Sequence, residues 1–444
     1  MINRIEILLF SLLALLLVVA PLFRSGNLPE AVLFLELLSL LILAVVLWQP
    51  SYIKNFSKGE LLLISFIIVV PVLYLLPLPD SLWKSISGRE LYVELDTWVA
   101  NSSSVERFKS LSLIPSFTEK SLLVLLLPVA VFMATKSLSF SKVKKLVIIF
   151  LWLAAFEAIL ALLQYPNDAT SIFYLGMERV GHSGQGTYFN RDHFAALMEM
   201  SLPFSIALLA YNFASSRYSA KSVFNMSVIF FALTLLLLIA AIFTKSRSGV
   251  ALVLLGVFLS TIVFSSHIGG RQTAGFSVVF TGLAIGLGTS IGLIPVLNRF
   301  ISADPLKDAR KEIFESSIVG IQQFWPFGSG SGTFPQVYRG FQPIDRAGFV
   351  NHVHNDYLEL LFEVGVFALI GFIFYIALYI YRLWKLRSKR WTQKKFIQVA
   401  AGIGIFLILL HSLTDFNLHI PANLIFFAFL NGVFFYSAKD RPSV

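Results

Sequence analysis

The chain contains no cysteine. Disulfides, thiol nucleophiles, thiolate-bound zinc and iron–sulfur clusters are therefore excluded. Charge is also scarce. Only 14% of the 444 residues are Asp, Glu, Lys or Arg, against about 25% in soluble domains. That shortage rules out an ordinary soluble surface. Internal repeats, low-complexity tracts and a separable soluble domain are missing as well, so residues 1–444 read as a single membrane domain. What fills the chain is apolar: 57% of residues are hydrophobic and 43 are Phe. The net charge of +10 raises the question of nucleic acid. In a membrane protein, however, the place of each charge matters more than the sum, and no nucleic acid partner is expected.

The composition implies an all-α polytopic membrane protein. Runs long enough to cross a bilayer recur about twelve times, near Ile5–Phe23, Ala31–Trp48, Leu61–Pro79, Lys120–Leu138, Leu146–Tyr165, His193–Asn212, Met226–Phe243, Gly249–Phe264, Phe276–Leu297, Leu358–Tyr381, Phe396–Leu413 and Asn423–Ser437. Met1-Ile2-Asn3-Arg4 before the first run has the charge of a signal peptide. The run lacks a small-x-small cleavage site, so a retained first helix is expected. With both termini in the cytoplasm, the short inside loops collect the cations, above all Arg382, Lys385, Arg387, Lys389, Arg390, Lys394 and Lys395. One short turn breaks the rule. Lys245-Ser246-Arg247-Ser248-Gly249 falls outside, which is where an anion site would place two cations.

Three longer segments share that outer side. Residues 80–119 carry Leu91, Val93, Trp98 and Val99, spaced as short helices lying on a surface. Residues 166–192 are glycine-rich and enter a helix at Asn190, a plausible cap, where backbone amides favour an anion; Arg191 and His193 follow. Residues 298–357, between the ninth and tenth spans, are too long for a simple connection and are expected to be functional. Asp304-Pro305 reads as the start of a helix running to about Phe324. Its apolar stripe is Leu306, Ile313, Phe314, Ile318 and Ile321, with Arg310 in the middle. A cation there either pairs with an acid or reaches a ligand. Gly328-Ser329-Gly330-Ser331-Gly332 could form an amide nest for an oxyanion; it is neither a P-loop nor a G-x-S-x-G elbow. Glu36 and Glu157 lie within spans, either paired in the bundle or functional.

The densest polar stretch is Asn351-His352-Val353-His354-Asn355-Asp356-Tyr357-Leu358-Glu359, at the mouth of an apolar run. His352-x-His354-x-Asp356 matches no fixed metal-site spacing, so no metal is assigned. Two core histidines, or a Ser-His-Asp set drawing on Ser329 or Ser331, are weaker alternatives. Arginines hold phosphate oxygens in bidentate fashion. A histidine can take a proton from a hydroxyl near neutral pH. Together they suit the transfer of a group from a lipid diphosphate, since arginines stabilise the charge that develops on the leaving group.

Phe189-Asn190-Arg191-Asp192-His193-Phe194-Ala195, Ser246-Arg247-Ser248-Gly249, Arg310 ahead of Phe327-Gly328-Ser329-Gly330, and His354-Asn355-Asp356-Tyr357-Leu358-Glu359 with Glu363 and Gly365 together resemble the O-antigen ligase and polymerase family of bacterial membrane glycosyltransferases. The likeness extends over roughly Tyr174–Gly371; the first helices match only in character. The resemblance implies a glycan donor on undecaprenyl diphosphate, transfer without a metal or other cofactor, and a large periplasmic loop near the carboxyl end. It implies a site on the periplasmic side of the inner membrane. Arg247 and Arg310 would hold the diphosphate, with Arg191 in a less defined part, and His354 would activate the acceptor. His193, Ser246, Gly328, Gly330, His352, Asn355, Asp356 and Tyr357 would support them. The acceptor would be lipid A-core in a ligase or a growing glycan in a polymerase. A lipid-linked glycan flippase is the alternative from another class: it too would be basic and lipid-facing, but with functional charge spread through the bundle.

Overall fold

The computed structural model describes residues 2–100, 109–167, 171–174, 183–214, 220–268, 282, 286, 309–344, 346, 348–387 and 390–437. In chain order the main helices are α1 (Ile2–Val19), α2 (Pro29–Leu47), α3 (Lys58–Leu75), α4 (Glu90–Ala100), α5 (Pro115–Val124), α6 (Leu126–Ser137) and α7 (Phe140–Gln164). They continue as α8 (Arg191–Ala214), α9 (Ala220–Phe243), α10 (Arg247–Ser265), α11 (Ala309–Phe324), α12 (Asp356–Val364), α13 (Val366–Lys385), α14 (Gln393–His411) and α15 (Pro421–Phe434). Among the described residues, sheet is confined to β1 (Pro77–Leu78) paired antiparallel with β2 (Lys109–Ser110). The protein is therefore an all-α polytopic membrane protein, as its composition requires.

Nine helical segments among the described residues are long and apolar enough to cross a bilayer. Each corresponds to a run read from the sequence. The expected ninth span, Phe276–Leu297, and the expected helix start at Asp304-Pro305 lie outside the described residues. The run at Asn423–Ser437 forms α15, which has only 14 residues. One run is corrected: Leu358–Tyr381 is not continuous. α12 ends at Gly365, and α13 begins directly after it. Gly365 has φ +53°, and a Cβ there would lie 2.0 Å from the Pro326 carbonyl oxygen. No other residue fits that turn without displacing backbone, so the span starts at Val366 and the polar motif has a helix of its own.

The chain divides into two compact units. The first comprises residues 1–56, 126–304 and 381–444. Its centre is α8, whose apolar window is 94% buried, followed by α14 at 72%. α8 packs on α9, α10 and α14, while α15 packs on α6 and α14. Small residues permit these close approaches, as membrane helix packing requires. A Cβ on Gly249 would meet the Ala195 methyl at 2.4 Å, and one on Gly404 would stand 3.2 Å from the Met200 carbonyl oxygen.

The second unit comprises residues 57–125 and 305–380. Here α3 packs on α5 and α11 packs on α12. Its core is aromatic and aliphatic: Ile313, Phe324, Phe334, Tyr338, Val353 and Phe362 are all buried. A Ser57–Glu60 capping box starts α3. The β1–β2 pair is fastened by Asp80, which is paired with Lys84 and with Lys109 at 2.9 Å. These ammonium groups hold the Asp80 carboxyl below the usual carboxylate range. Along α4, Leu91, Leu95 and Trp98 are exposed, so the expected surface helix is present and shows an apolar stripe.

Candidate functional site

In the first unit the glycine-rich segment folds onto α7. Gly184 N–H donates to the Phe243 carbonyl, Gln185 N–H to Gln164 Oε1 and Thr187 N–H to Glu157 Oε2. Thr187 Oγ1 also donates to Glu157 Oε1 at 2.7 Å. Amides expected to approach a ligand are thus engaged by protein acceptors. The Glu157 carboxylate is thus held by the loop, through Thr187. Its loop neighbour is Gly186, where a Cβ would lie 2.3 Å from Glu157 Oε2.

Asn190 caps α8 as expected, accepting from Asp192 N–H at 2.8 Å, so Arg191 stands in the first turn, half-buried. His193 is buried, with Asn423 Nδ2 donating to its carbonyl at 3.1 Å and the Phe416 ring edge-on at 4.6 Å. Its Nε2 is 3.8 Å from Asp415 Oδ1, an ion-pair separation too long for a hydrogen bond. Ser246 caps α10 by accepting from Gly249 N–H at 3.0 Å. Arg247 opens that helix and is half-buried. Both arginines therefore start helices, where the backbone already favours negative charge. Lys245 instead lies over the Tyr165 ring at 5.0 Å. Glu199 and His411, two further titratable groups of this region, are both fully buried. His411 Nδ1 is 2.9 Å from Glu199 Oε1, and His411 Nε2 is 3.1 Å from Ser248 Oγ.

In the second unit α11 corrects the sequence stripe. Its buried side is Ile313, Ser317, Gly320 and Phe324, while Ile318 is exposed. Arg310 is half-buried and sits about 50° from the centre of that side by the helical repeat, on its margin rather than in its middle. The reason is packing by small residues: a Cβ on Gly320 would meet the Phe362 ring at 2.2 Å. A stripe drawn through large apolar residues misses a face built on glycine and serine.

The glycine turn is also corrected. Gly328 N–H donates to the Phe324 carbonyl, Ser329 N–H to Phe362 and Gly330 N–H to Glu363. Gly332 and Phe334 N–H groups donate to the Glu363 carboxylate at 2.8 and 3.0 Å. The nest exists, but its anion is Glu363. Gly328 and Gly330 serve close packing: Cβ atoms there would lie 2.4 Å from the Glu363 carbonyl oxygen and from Ser112 Oγ. Ser329 Oγ is bonded to Thr333 Oγ1, and Ser331 Oγ to Ser121 Oγ, both at 2.6 Å.

The His352–Glu359 stretch folds on itself around one carboxylate. Glu359, buried, lies with Oε1 2.8 Å from His352 Nδ1 and accepts from Val353 N–H at 2.9 Å. Asn355 caps α12, accepting from Tyr357 N–H at 3.0 Å and Leu358 N–H at 3.1 Å. Asp356 is buried in the first turn, where the helix favours its charge. Tyr357 packs its ring against Phe372 at 5.1 Å, and burial pushes its hydroxyl pKa up. His354 is half-buried with φ +62°. A non-glycine residue in the left-handed region costs about 1 kcal/mol or more and marks functional segments more often than others.

Arg89 was not singled out by its sequence. It is fully buried, and its Nη2 donates to the Leu111 carbonyl at 2.6 Å and, weakly, to Gly328 at 3.5 Å. Burial lowers its pKa to about 10. Nothing in its local sequence separates it from a surface arginine. Glu199 and His411 were equally unmarked, although an ionisable residue inside an apolar run is itself a signal.

A bundle of apolar helices, nine of them among the described residues long enough to cross a bilayer, defines a multi-span membrane protein. Residues 232–373 match the O-antigen ligase family. A stretch of 231 residues is 24% identical to the teichuronic acid biosynthesis protein TuaE of Bacillus subtilis (strain 168), covering 49% of this chain and 44% of that protein. The chain thus spans less than half the length of the curated relative it matches. Over residues 232–373 the chain is similar to the O-antigen ligase family. The matched segment holds Arg247, Arg310 and the His352–Tyr357 stretch; Arg191 and His193 precede it.

Proposed function

We propose that this protein is a membrane glycosyltransferase of the O-antigen ligase kind, moving a glycan from undecaprenyl diphosphate to an acceptor hydroxyl at the periplasmic face of the inner membrane. The reading is carried by one observation: the O-antigen ligase match over residues 232–373 contains both Arg247 and the histidine motif. In this reaction His354 takes the proton from the acceptor hydroxyl. The freed oxygen attacks the anomeric carbon, the bond from that carbon to the phosphate oxygen breaks, and the diphosphate leaves with the electron pair. Arg247 and Arg310 stabilise the charge that develops on it; Arg191 assists. The strained backbone at His354 and the capped first turn beneath Arg247 support these roles. Both termini are cytoplasmic, and residues 80–119, 166–192 and 298–357 form the periplasmic side.

A second reading, polymerisation of glycan units on the lipid carrier, is favoured by TuaE, whose name assigns it to teichuronic acid biosynthesis. Surface-polysaccharide banding in a deletion strain separates them. Long chains stranded on the carrier mark a missing ligase, and single units mark a missing polymerase. A His354→Ala variant at normal membrane level is expected to lose transfer by about 10²–10⁴-fold. Normal glycan in that strain removes the proposed base and favours a transporter. Transfer is expected to persist in excess chelator.

A further inference from the structure

The first turn of α10 is fixed from two directions. Ser246 caps it from within. From outside, Ser248 meets the ring of His411, the last residue of α14, at 3.1 Å. The other ring nitrogen is 2.9 Å from Glu199 on α8. One turn earlier on the same face of α8, Ala195 packs where Gly249 has no side chain, with only 2.4 Å to an added Cβ. Three helices thus meet at one point, one residue from Arg247.

His411 and Glu199 are both fully buried. A buried ion pair is poor value as a stabilising device, since apolar residues of the same volume often serve as well. It does hold an angle: an imidazole paired with a carboxylate at one nitrogen and hydrogen-bonded to a serine at the other has a restricted rotation. The serine it holds is adjacent to Arg247 in a helix with little backbone freedom.

We infer that Glu199, His411 and Ser248 form a positioning relay that sets the Arg247 guanidinium for the diphosphate of the lipid-linked donor. The inference rests on the proposed role of Arg247. Such relays matter because a displacement of about 1 Å in a group that orients substrate can cost about 10²-fold in rate.

The test is a double-mutant cycle on the purified full chain in nanodiscs, with a lipid-diphosphate-linked glycan as donor and kcat/KM for donor as readout. Arg247→Ala is expected to lower it by about 100-fold, and His411→Ala by about 10- to 100-fold. The double variant is expected to be no worse than Arg247→Ala alone, within about twofold, because the relay acts only through that arginine. Glu199→Gln, which can keep a bond to the ring, should recover most of the loss seen in Glu199→Ala. Losses that multiply in the double variant, or normal donor kinetics in folded His411→Ala, overturn the relay while leaving Arg247 in its role. Normal kinetics in Arg247→Ala takes down the functional reading and the relay together. If His411→Ala does not fold, Ser248→Ala carries the test, with an expected loss of about 3- to 10-fold that vanishes in the Arg247→Ala background; a Ser248→Ala loss that persists there overturns the relay.

Discussion

Each compact unit contains a histidine paired with a glutamate, and the two pairs are built differently. In the first unit, His411 and Glu199 come from α14 and α8 and are both fully buried. In the second, His352 and Glu359 are seven residues apart, and the histidine side chain keeps 21% of its exposure. The first pair joins helices and reaches the serine beside Arg247. The second shapes a loop, since Glu359 also takes the Val353 amide and so sets the course of the chain into His354. The same chemistry thus does two jobs, and burial decides which. A sealed pair can hold helices in register, whereas a partly open one lies two residues from His354, the proposed base.

The comparison can be broken by substitution. The largest effect is expected from Gly365→Ala, which puts a methyl 2.0 Å from the Pro326 carbonyl oxygen in a left-handed turn. A loss above about 4 kcal/mol, seen as loss of monodisperse protein on gel filtration, would show that the second unit is as rigid as the first. Glu199→Ala comes next. It leaves a buried histidine unpaired and should cost about 3 kcal/mol, measured as a fall in thermal midpoint. Glu359→Ala should cost less, about 1–3 kcal/mol for the stranded Val353 amide, yet it should lower transfer more than its stability loss explains. Equal stability losses in these two variants would erase the distinction drawn from burial. The smallest effect is expected from Asp80→Asn, an exposed pair. The Asp80 carboxyl is held low by Lys84 and Lys109, so its contribution is present at neutral pH and is lost as pH falls through its depressed pKa in the folded protein. The midpoints of variant and parent should converge in acid; a gap that widens there contradicts the pairing.

Much of this protein was legible without coordinates. The cap at Asn190 is a local feature, written in a few consecutive residues. The apolar runs predicted the spans because a bilayer imposes length and composition on any helix that crosses it. Where the reading erred, the deciding contact was distant in sequence. The glycine turn looked like an oxyanion nest because its amides are close together, and only folding brings the Glu363 carboxylate to them. The stripe on α11 was drawn through large apolar residues, whereas the buried face rests on Gly320 beneath the Phe362 ring.

Composition alone made this an all-helical membrane protein, because so few charges cannot cover a soluble surface and lipid offers the backbone no partner. The motifs alone gave it a likeness to a family, because cations, glycines and a histidine stand in one order along the chain. Only tertiary structure decided which acids and bases meet: Glu199 with His411, Glu359 with His352, Arg89 with the carbonyls of Leu111 and Gly328. Packing in three dimensions selects these partners, whether seven residues apart as in His352–Glu359 or on separate helices as in Glu199–His411, and residue type and spacing alone do not name them.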